Sequence, residues 1–375
     1  MHIAVNALLV YGAFSGVQHT IVHQLRALLD CAAIHRYTII TLTDVDIREI
    51  IGPTRQPYAV LRAPLQSGQR LQRICWEQLS LPAALTAEGV DLLYSPGYLT
   101  SLCWRGPSVV YVHDTIALSH PSLCSTSNAV NYRLLLPPSA RHATRVAVPS
   151  QASAQDVARY CRVPDARIAI IPHGVQTAPP LSPDALTAAR QRLGVTAPYL
   201  LAVSTIEPKK NFANLIRWFD AWKDAGIPHE LVILGKWGWK SGDVARAWRS
   251  SRNQAQIHLP GYVAQLELPA VMAAADALLV PSRYEGFGLP ALEGMAVGTP
   301  VIVSDQGALP ETVGDAGLVL PLAHDGWLTE IPRVLQDQER LASLRADGPV
   351  WAARHTWERA ATLLEQVFAD ALSAP

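Results

Sequence analysis

Short apolar runs alternate along the whole chain with longer stretches in which apolar side chains recur at three- and four-residue intervals. The runs read as buried strands and the intervening stretches as amphipathic helices. In the first half the strand candidates are Ile3–Val10, Tyr37–Leu42, Leu92–Tyr94, Ser108–Val112, Arg145–Val148 and Ile168–Ile171. In the second half they are Tyr199–Val203, Glu230–Leu234, Ile257–Leu259, Ala277–Val280, Pro300–Val303 and Gly317–Leu320. Helical periodicity or caps mark Val17–Leu29, Ser150–Tyr160, Asn211–Ala225 and Leu266–Ala274. Continuous apolar strands separated by helices imply parallel sheets covered on both faces, one in each half. Pro179-Pro180 and Pro183 interrupt regular structure and place the division within Pro172–Pro183. The expected division is 1–175 and 184–355, with an amphipathic helix near Thr356–Leu372 returning to the first half.

A chain of 375 residues exceeds one ordinary core, and 49% hydrophobic against 17% charged residues describes folded domains. Thirty-one basic and 31 acidic side chains cancel, which removes the global field expected of a nucleic-acid binder. The five cysteines lack a CxxC spacing and fit reduced thiols better than disulfides or a zinc site. The opening apolar run has no Lys or Arg before it and is read as a strand, not a signal peptide. No run approaches the roughly 18–20 apolar residues that cross a bilayer. The expected location is cytoplasmic, free or at the inner face of the membrane.

The most informative segment is Glu285-Gly286-Phe287-Gly288-Leu289-Pro290-Ala291-Leu292-Glu293. A buried strand precedes it and a helix follows. Such a glycine-bearing turn leaves backbone N–H groups at the positive end of a helix dipole, suited to phosphate or sugar oxygens. With the helix starting near Leu289, Glu285 stays on the loop and Glu293 lies about one turn inside. The second half also opens with a strand running into Glu207-Pro208-Lys209-Lys210-Asn211, with Asn211 placed as a helix N-cap. A Lys-Lys pair on a turn is ordinarily solvated, but the carboxyl edge of a parallel sheet is where such folds bind ligands. There Lys209 and Lys210 are placed to hold a diphosphate. Gly235 and Lys236 end the next strand, and Tyr262 and Val263 of Gly261-Tyr262-Val263 either frame a base or form an ordinary turn.

Together with Gly298-Thr299-Pro300-Val301-Ile302, Pro310-Glu311, Tyr111-Val112-His113-Asp114 and Ile171-Pro172-His173-Gly174-Val175, these motifs resemble the family-four retaining glycosyltransferases of the GT-B class. The resemblance is dense in the second half and thin in the first. It implies two Rossmann-like doubly wound parallel-sheet lobes facing across a cleft, the first on the acceptor side and the second holding a nucleotide-sugar donor. It also implies that Lys210 holds the pyrophosphate, Glu293 the ribose hydroxyls, and Glu285 the transferred sugar. The amides of Phe287, Gly288 and Leu289 would meet sugar hydroxyls and diphosphate, Gly286 and Gly288 would let that backbone approach the donor without a Cβ in the way, and Gly16 would let the first lobe approach them. Lys209 stands where many relatives carry arginine, so a bidentate fork is replaced by a point charge. His113, at a strand end where histidine is more often structural, is implied to face the donor sugar; Asp114 orients the loop, and His173 serves as a hinge or packing residue. Transfer with retention, without a metal or other cofactor, would follow.

Asp44-Val45-Asp46 is read as a solvated loop rather than a metal motif. Arg62, Arg70 and Arg73 with Trp76, and Arg133, Arg141 and Arg145 within the region beginning at Asn131, suit a membrane surface or lipid diphosphate, but ordinary solvated helix faces are the simpler reading. Trp237 and Trp239 would stack on sugar or base, or pack between lobes. The function expected is transfer of a hexose to a saccharide or lipid-linked saccharide acceptor during envelope polysaccharide or glycolipid assembly. The Gly-Lys-x-Gly-Trp run at 235–239 is most like that of bacterial mannosyltransferases and favours GDP-mannose over UDP-hexose or GDP-rhamnose. The alternatives are a nucleotide-sugar epimerase of the same architecture and a non-catalytic two-lobe sugar-binding protein.

Overall fold

In a computed structural model of the chain, residues 1–12, 16–31, 35–176, 181–264, 266–323 and 325–374 are described. Pro179-Pro180 lie outside the described residues. The strands β1 (His2–Asn6), β2 (Arg36–Leu42), β3 (Tyr58–Ala63), β4 (Leu92–Ser95), β5 (Ser108–Tyr111), β6 (Arg145–Val148) and β7 (Ile168–Ile170) form one sheet. Its order is β3-β2-β1-β4-β5-β6-β7, and every pairing is parallel. The strands β8 (Tyr199–Val203), β9 (Glu230–Leu234), β10 (Ile257–Gly261), β11 (Ala277–Val280), β12 (Val301–Ser304) and β13 (Leu318–Leu320) form a second parallel sheet, in the order β10-β9-β8-β11-β12-β13. Both are doubly wound. The direction of winding reverses between β1 and β4 in the first sheet and between β8 and β11 in the second.

The sequence pattern misses β3 and overextends β1. Tyr58–Ala63 carries Arg62 and stays partly exposed at the sheet edge, so it lacks the unbroken apolar run of an inner strand. After Asn6 the apolar residues through Val10 leave the sheet in a turn, where Val10 N–H donates to the Ala7 carbonyl. The helix read at Ser150–Tyr160 begins at its Ser150 cap as Gln151–Asp156 and widens into a π-helical turn over Val157–Cys161.

Contacts divide the chain into two units. The first comprises Met1–Ser119, Ser127–Gly174 and Thr356–Pro375; the second comprises Val175–His355 and the short segment His120–Thr126. In the first unit the helix Trp357–Leu372 buries Trp357, Ala360, Ala361, Leu364, Val367, Phe368 and Ala371. Their three- and four-residue spacing makes one stripe, which packs with Ile21, Leu25 and Leu28 of the helix Gly16–Asp30. The Phe368 ring lies 5.2 Å from that of Tyr94 on β4. Each large side chain buried in this way contributes about 1.5–3 kcal/mol. In the second unit one face of the sheet packs around Trp222 and Trp327, and the Trp222 indole donates to the Trp327 and Leu328 carbonyls. The other face carries the helix Leu289–Ala296, through Ala291, Leu292 and Met295.

Candidate active site

The two loops that leave β8 and β11 are neighbours because those strands are paired. After β8 the chain turns through a short 3-10 segment, Pro208–Lys210, and Asn211 adopts left-handed backbone angles before the helix Phe212–Asp224. Asn211 occupies the N-cap position, yet its side chain makes no capping bond. Its Oδ1 instead accepts from Arg283 Nε at 3.1 Å, while Arg283 N–H donates to the Lys209 carbonyl at 2.7 Å. The cap expected from the sequence is thus replaced by a clasp between the loops. Ser282 and Arg283 escaped the sequence reading; the only signal available was their place between the end of β11 and Glu285.

The clasp aligns the charged groups. Glu285 is 7% exposed; its Oε1 lies 2.5 Å from Lys210 Nζ and accepts from Ser282 Oγ at 2.7 Å. Lys209 Nζ lies 3.8 Å from Glu285 Oε2 and 3.8 Å from Glu207 Oε1. Burial alone would push the Glu285 carboxyl upward, but Lys210, Lys209 and the two hydrogen bonds outweigh it, so its pKa lies below the ordinary glutamate value. The group is a carboxylate at neutral pH. Its backbone is fixed as well, since its carbonyl accepts from Ala308 N–H at 2.9 Å.

Gly286 and Phe287 follow; Phe287 is buried and its carbonyl accepts from Thr312 Oγ1 at 2.5 Å. Gly288, at φ +105°, is the N-cap of Leu289–Ala296, and a Cβ there would lie 2.6 Å from Leu309 Cδ2. The Gly288 and Leu289 amides find no acceptor among the described residues. They present donors at the positive end of the helix. Glu293, in the second turn, is partly buried and makes no hydrogen bond or ion pair among the described residues. Burial raises its carboxyl to about 7.

This carboxyl has a measurable consequence. Its pKa in the folded chain lies above the value of about 4.3 for an unperturbed glutamate, so the native state holds more protons between the two. Its contribution is therefore most favourable in acid and declines as pH rises through about 7. Urea midpoints measured across that window are expected to fall less steeply for Glu293→Gln than for the wild type.

On the other flank of β8, Gly235 N–H donates to the Gly261 carbonyl, and Ile206 N–H to the Lys236 carbonyl. Lys236 Nζ lies 4.7 Å over the ring of Tyr262, which is exposed, and Val263 packs against the core. Trp237 is exposed; Trp239 Nε1 donates to the Leu123 carbonyl at 3.2 Å, and Lys240 Nζ to those of Ser122 and Cys124. These bonds fasten the segment His120–Thr126 to the second unit.

In the first unit His113 follows β5, buried among the rings of Tyr98, Tyr111 and His173. Its Nε2 donates to the Pro96 carbonyl at 2.7 Å, which makes Nδ1 the unprotonated acceptor. Burial holds the imidazole down at about 4, so it is neutral at pH 7. Asp114 accepts from the Tyr98 hydroxyl and from Ile116 N–H. His173 stacks with Tyr111, whose hydroxyl donates to the Ile171 carbonyl at 2.7 Å. Gly16 is the first residue of its helix.

Asp44 accepts from the Ser67 amide and hydroxyl, and Asp46 caps the helix Ile47–Ile51, so both carboxylates have structural partners. Arg62 donates to the Thr43 and Val45 carbonyls and Arg141 to that of Cys161. Both residues are exposed. No helix among the described residues is long and apolar enough to cross a membrane.

Two family models match. "Glycosyltransferase Family 4" covers residues 14–179 and "Glycosyl transferases group 1" covers 187–361. The chain is a family-four-like glycosyltransferase of the GT-B class. It is 36% identical over 166 residues to an O-antigen chain mannosyltransferase B of Escherichia coli, covering 44% of each chain. To an MMP alpha-(1->4)-mannosyltransferase of Mycolicibacterium hassiacum it is 36% identical over 122 residues, 31% of this chain and 30% of the other. The aligned stretches thus span less than half the length of these relatives. The fold also matches that of Anabaena HepE in complex with UDP and glucose, with a TM-score of 0.76 at 20% identity over 99% of this chain and 100% of the other.

Proposed function

We propose that the chain transfers a hexose from a nucleoside diphosphate sugar to a hydroxyl acceptor, with retention and without a metal, in envelope polysaccharide or glycolipid assembly. The observation that carries this reading is the buried Lys210–Glu285 pair, with Lys209 beside it, on the loops that flank the reversal point of the second sheet. Ligands of open parallel sheets bind at such points. The two lysines supply the positive charge that a leaving diphosphate requires, and the Gly288 and Leu289 amides add neutral donors. Glu285, held ionised, orients the sugar hydroxyls and stabilises positive charge on the sugar ring. Glu293 accepts from the ribose hydroxyls. His113, neutral with Nδ1 unprotonated, accepts a hydrogen bond from a sugar hydroxyl.

Mannose from GDP-mannose is the donor favoured by the matching mannosyltransferases. Membrane contact, at the inner face, would be peripheral and made by the first unit. The test is nucleoside diphosphate release by the purified chain given GDP-mannose or UDP-glucose, with and without an envelope glycolipid fraction. Release that requires the fraction is expected. Conversion of the donor into a different nucleotide sugar by the protein alone would overturn the reading in favour of an epimerase.

A further inference from the structure

The donor chemistry gives Glu207 no task. The residue is 3% exposed, just beyond the carboxyl end of β8, and the local fold fixes it there. Ile206, one residue earlier, pairs in parallel with Trp237. Its N–H donates to the Lys236 carbonyl at 2.8 Å, and its own carbonyl accepts from Gly238 N–H at 3.0 Å. The loop after β9 therefore lies along this segment. Gly238 lets it come close, since a Cβ there would stand 2.8 Å from Thr205 Cγ2 and 3.6 Å from Glu207 Cβ. Beyond Glu207 comes the 3-10 turn Pro208–Lys210, closed by the Lys210 N–H on the Glu207 carbonyl at 3.1 Å. Lys209 Nζ stands between two carboxylates, 3.8 Å from Glu207 Oε1 and 3.8 Å from Glu285 Oε2.

The two lysines are held differently. Lys210 Nζ bonds Glu285 directly at 2.5 Å, and Ser282 engages the same oxygen. The distances from Lys209 to its two carboxylates exceed a direct hydrogen bond, so they centre the ammonium without consuming its donors. A lysine head on its flexible stem ordinarily turns to water, yet this side chain is 16% exposed. Glu285 is already matched by Lys210, which makes Glu207 the counter-charge of Lys209. That carboxylate is unfavourable out of water, and beside a diphosphate it repels the ligand. Glu207 and Glu285 against Lys209 and Lys210 leave these four groups without net charge. What Glu207 brings to the site is orientation, not attraction.

We propose that Glu207 is a positioning residue for transfer: it fixes the Lys209 ammonium where charge develops on the leaving phosphate. This rests on the donor reading above. An arginine at position 209 would bring a planar fork that orients itself on a phosphate. A lysine is a point charge whose direction must be imposed from outside. Glu207 acts through Lys209 and touches no substrate.

Steady-state release of nucleoside diphosphate by the full-length chain, from GDP-mannose or UDP-glucose with the envelope glycolipid fraction, tests this. Glu207→Gln keeps size and packing and removes only the charge. It is expected to lower kcat about tenfold, with a donor KM no higher than that of the wild type because one repelling charge is gone. Glu207→Asp keeps the charge but draws it back by one carbon, so kcat should fall there too; it decides the matter if Glu207→Gln does not fold. In a Lys209→Ala chain Glu207→Gln should cost nothing further, because the lysine through which it acts is gone. Combining Glu207→Gln with Lys209→Arg should recover most of the lost kcat. Losses that multiply in the Lys209→Ala double variant, with no recovery by arginine, mark a packing role and overturn the proposal. A wild-type kcat in Glu207→Gln, or a donor KM raised about tenfold with kcat unchanged, overturns it as well. A wild-type kcat in Lys209→Ala would instead defeat the donor reading itself, and this proposal with it.

Discussion

Lys210→Ala is expected to lower transfer by about a thousandfold and to destabilise the second unit by about 3 kcal/mol. Both effects come from one contact. Lys210 Nζ lies 2.5 Å from a carboxylate that is almost wholly out of water. Removing the ammonium leaves Glu285 with Lys209 at 3.8 Å and the Ser282 hydroxyl, too little to offset its desolvation. The pH dependence follows in sign. In the wild type the Glu285 pKa is depressed, so its contribution is present above the unfolded glutamate pKa and fades as pH falls through the folded value. In the variant burial dominates, the pKa rises, and the same group destabilises increasingly as pH climbs. Urea denaturation at pH 5 and pH 8 measures this directly: the deficit of Lys210→Ala should be larger at pH 8. Replacing Glu285 by glutamine in the same chain should recover part of the stability and none of the activity.

Gly235→Ala is expected to be comparably damaging for a purely geometric reason. Gly235 has φ +149°, a region L-residues rarely adopt, and a Cβ would stand 1.8 Å from the Ser204 carbonyl oxygen. That neighbour is backbone at the end of β8 and cannot rotate aside. The substitution forces apart the loops after β8 and β9, with Ile206 N–H bonded to the Lys236 carbonyl between them. A cost of about 3 kcal/mol or more is expected, with loss of donor binding, because Lys209 and Lys210 lie on the displaced loop. Thermal denaturation and nucleotide titration of the variant check the two halves of this expectation.

The fold was legible because inner strands of parallel sheets are apolar on both faces, and runs such as Glu230–Leu234 and Ala277–Val280 are too short for helices and recur between helical stretches. Tyr58–Ala63 was not legible: an edge strand need not be apolar throughout, and Arg62 disguised it. The glutamate block and the lysine pair could be found because each directly follows an apolar strand. What joins them could not. The Arg283–Asn211 clasp links residues 72 positions apart, and nothing in the local pattern says that Asn211 will receive a guanidinium instead of capping its helix. Arg73 shows the reverse problem. Its spacing on an amphipathic helix reads as surface, and only the packing around it shows that two of its nitrogens are enclosed without a hydrogen-bond partner among the described residues.

Calorimetric titration of GDP, GDP-mannose, UDP and UDP-glucose into the wild type and Lys210→Ala decides whether the lysine–glutamate loops hold the donor. At least one nucleoside diphosphate and its sugar are expected to bind the wild type, GDP and GDP-mannose first among them. Lys210→Ala is expected to weaken that binding about a hundredfold, some 2.7 kcal/mol. Equal affinity in a folded Lys210→Ala protein, or no binding of any of the four to the wild type, would contradict that role.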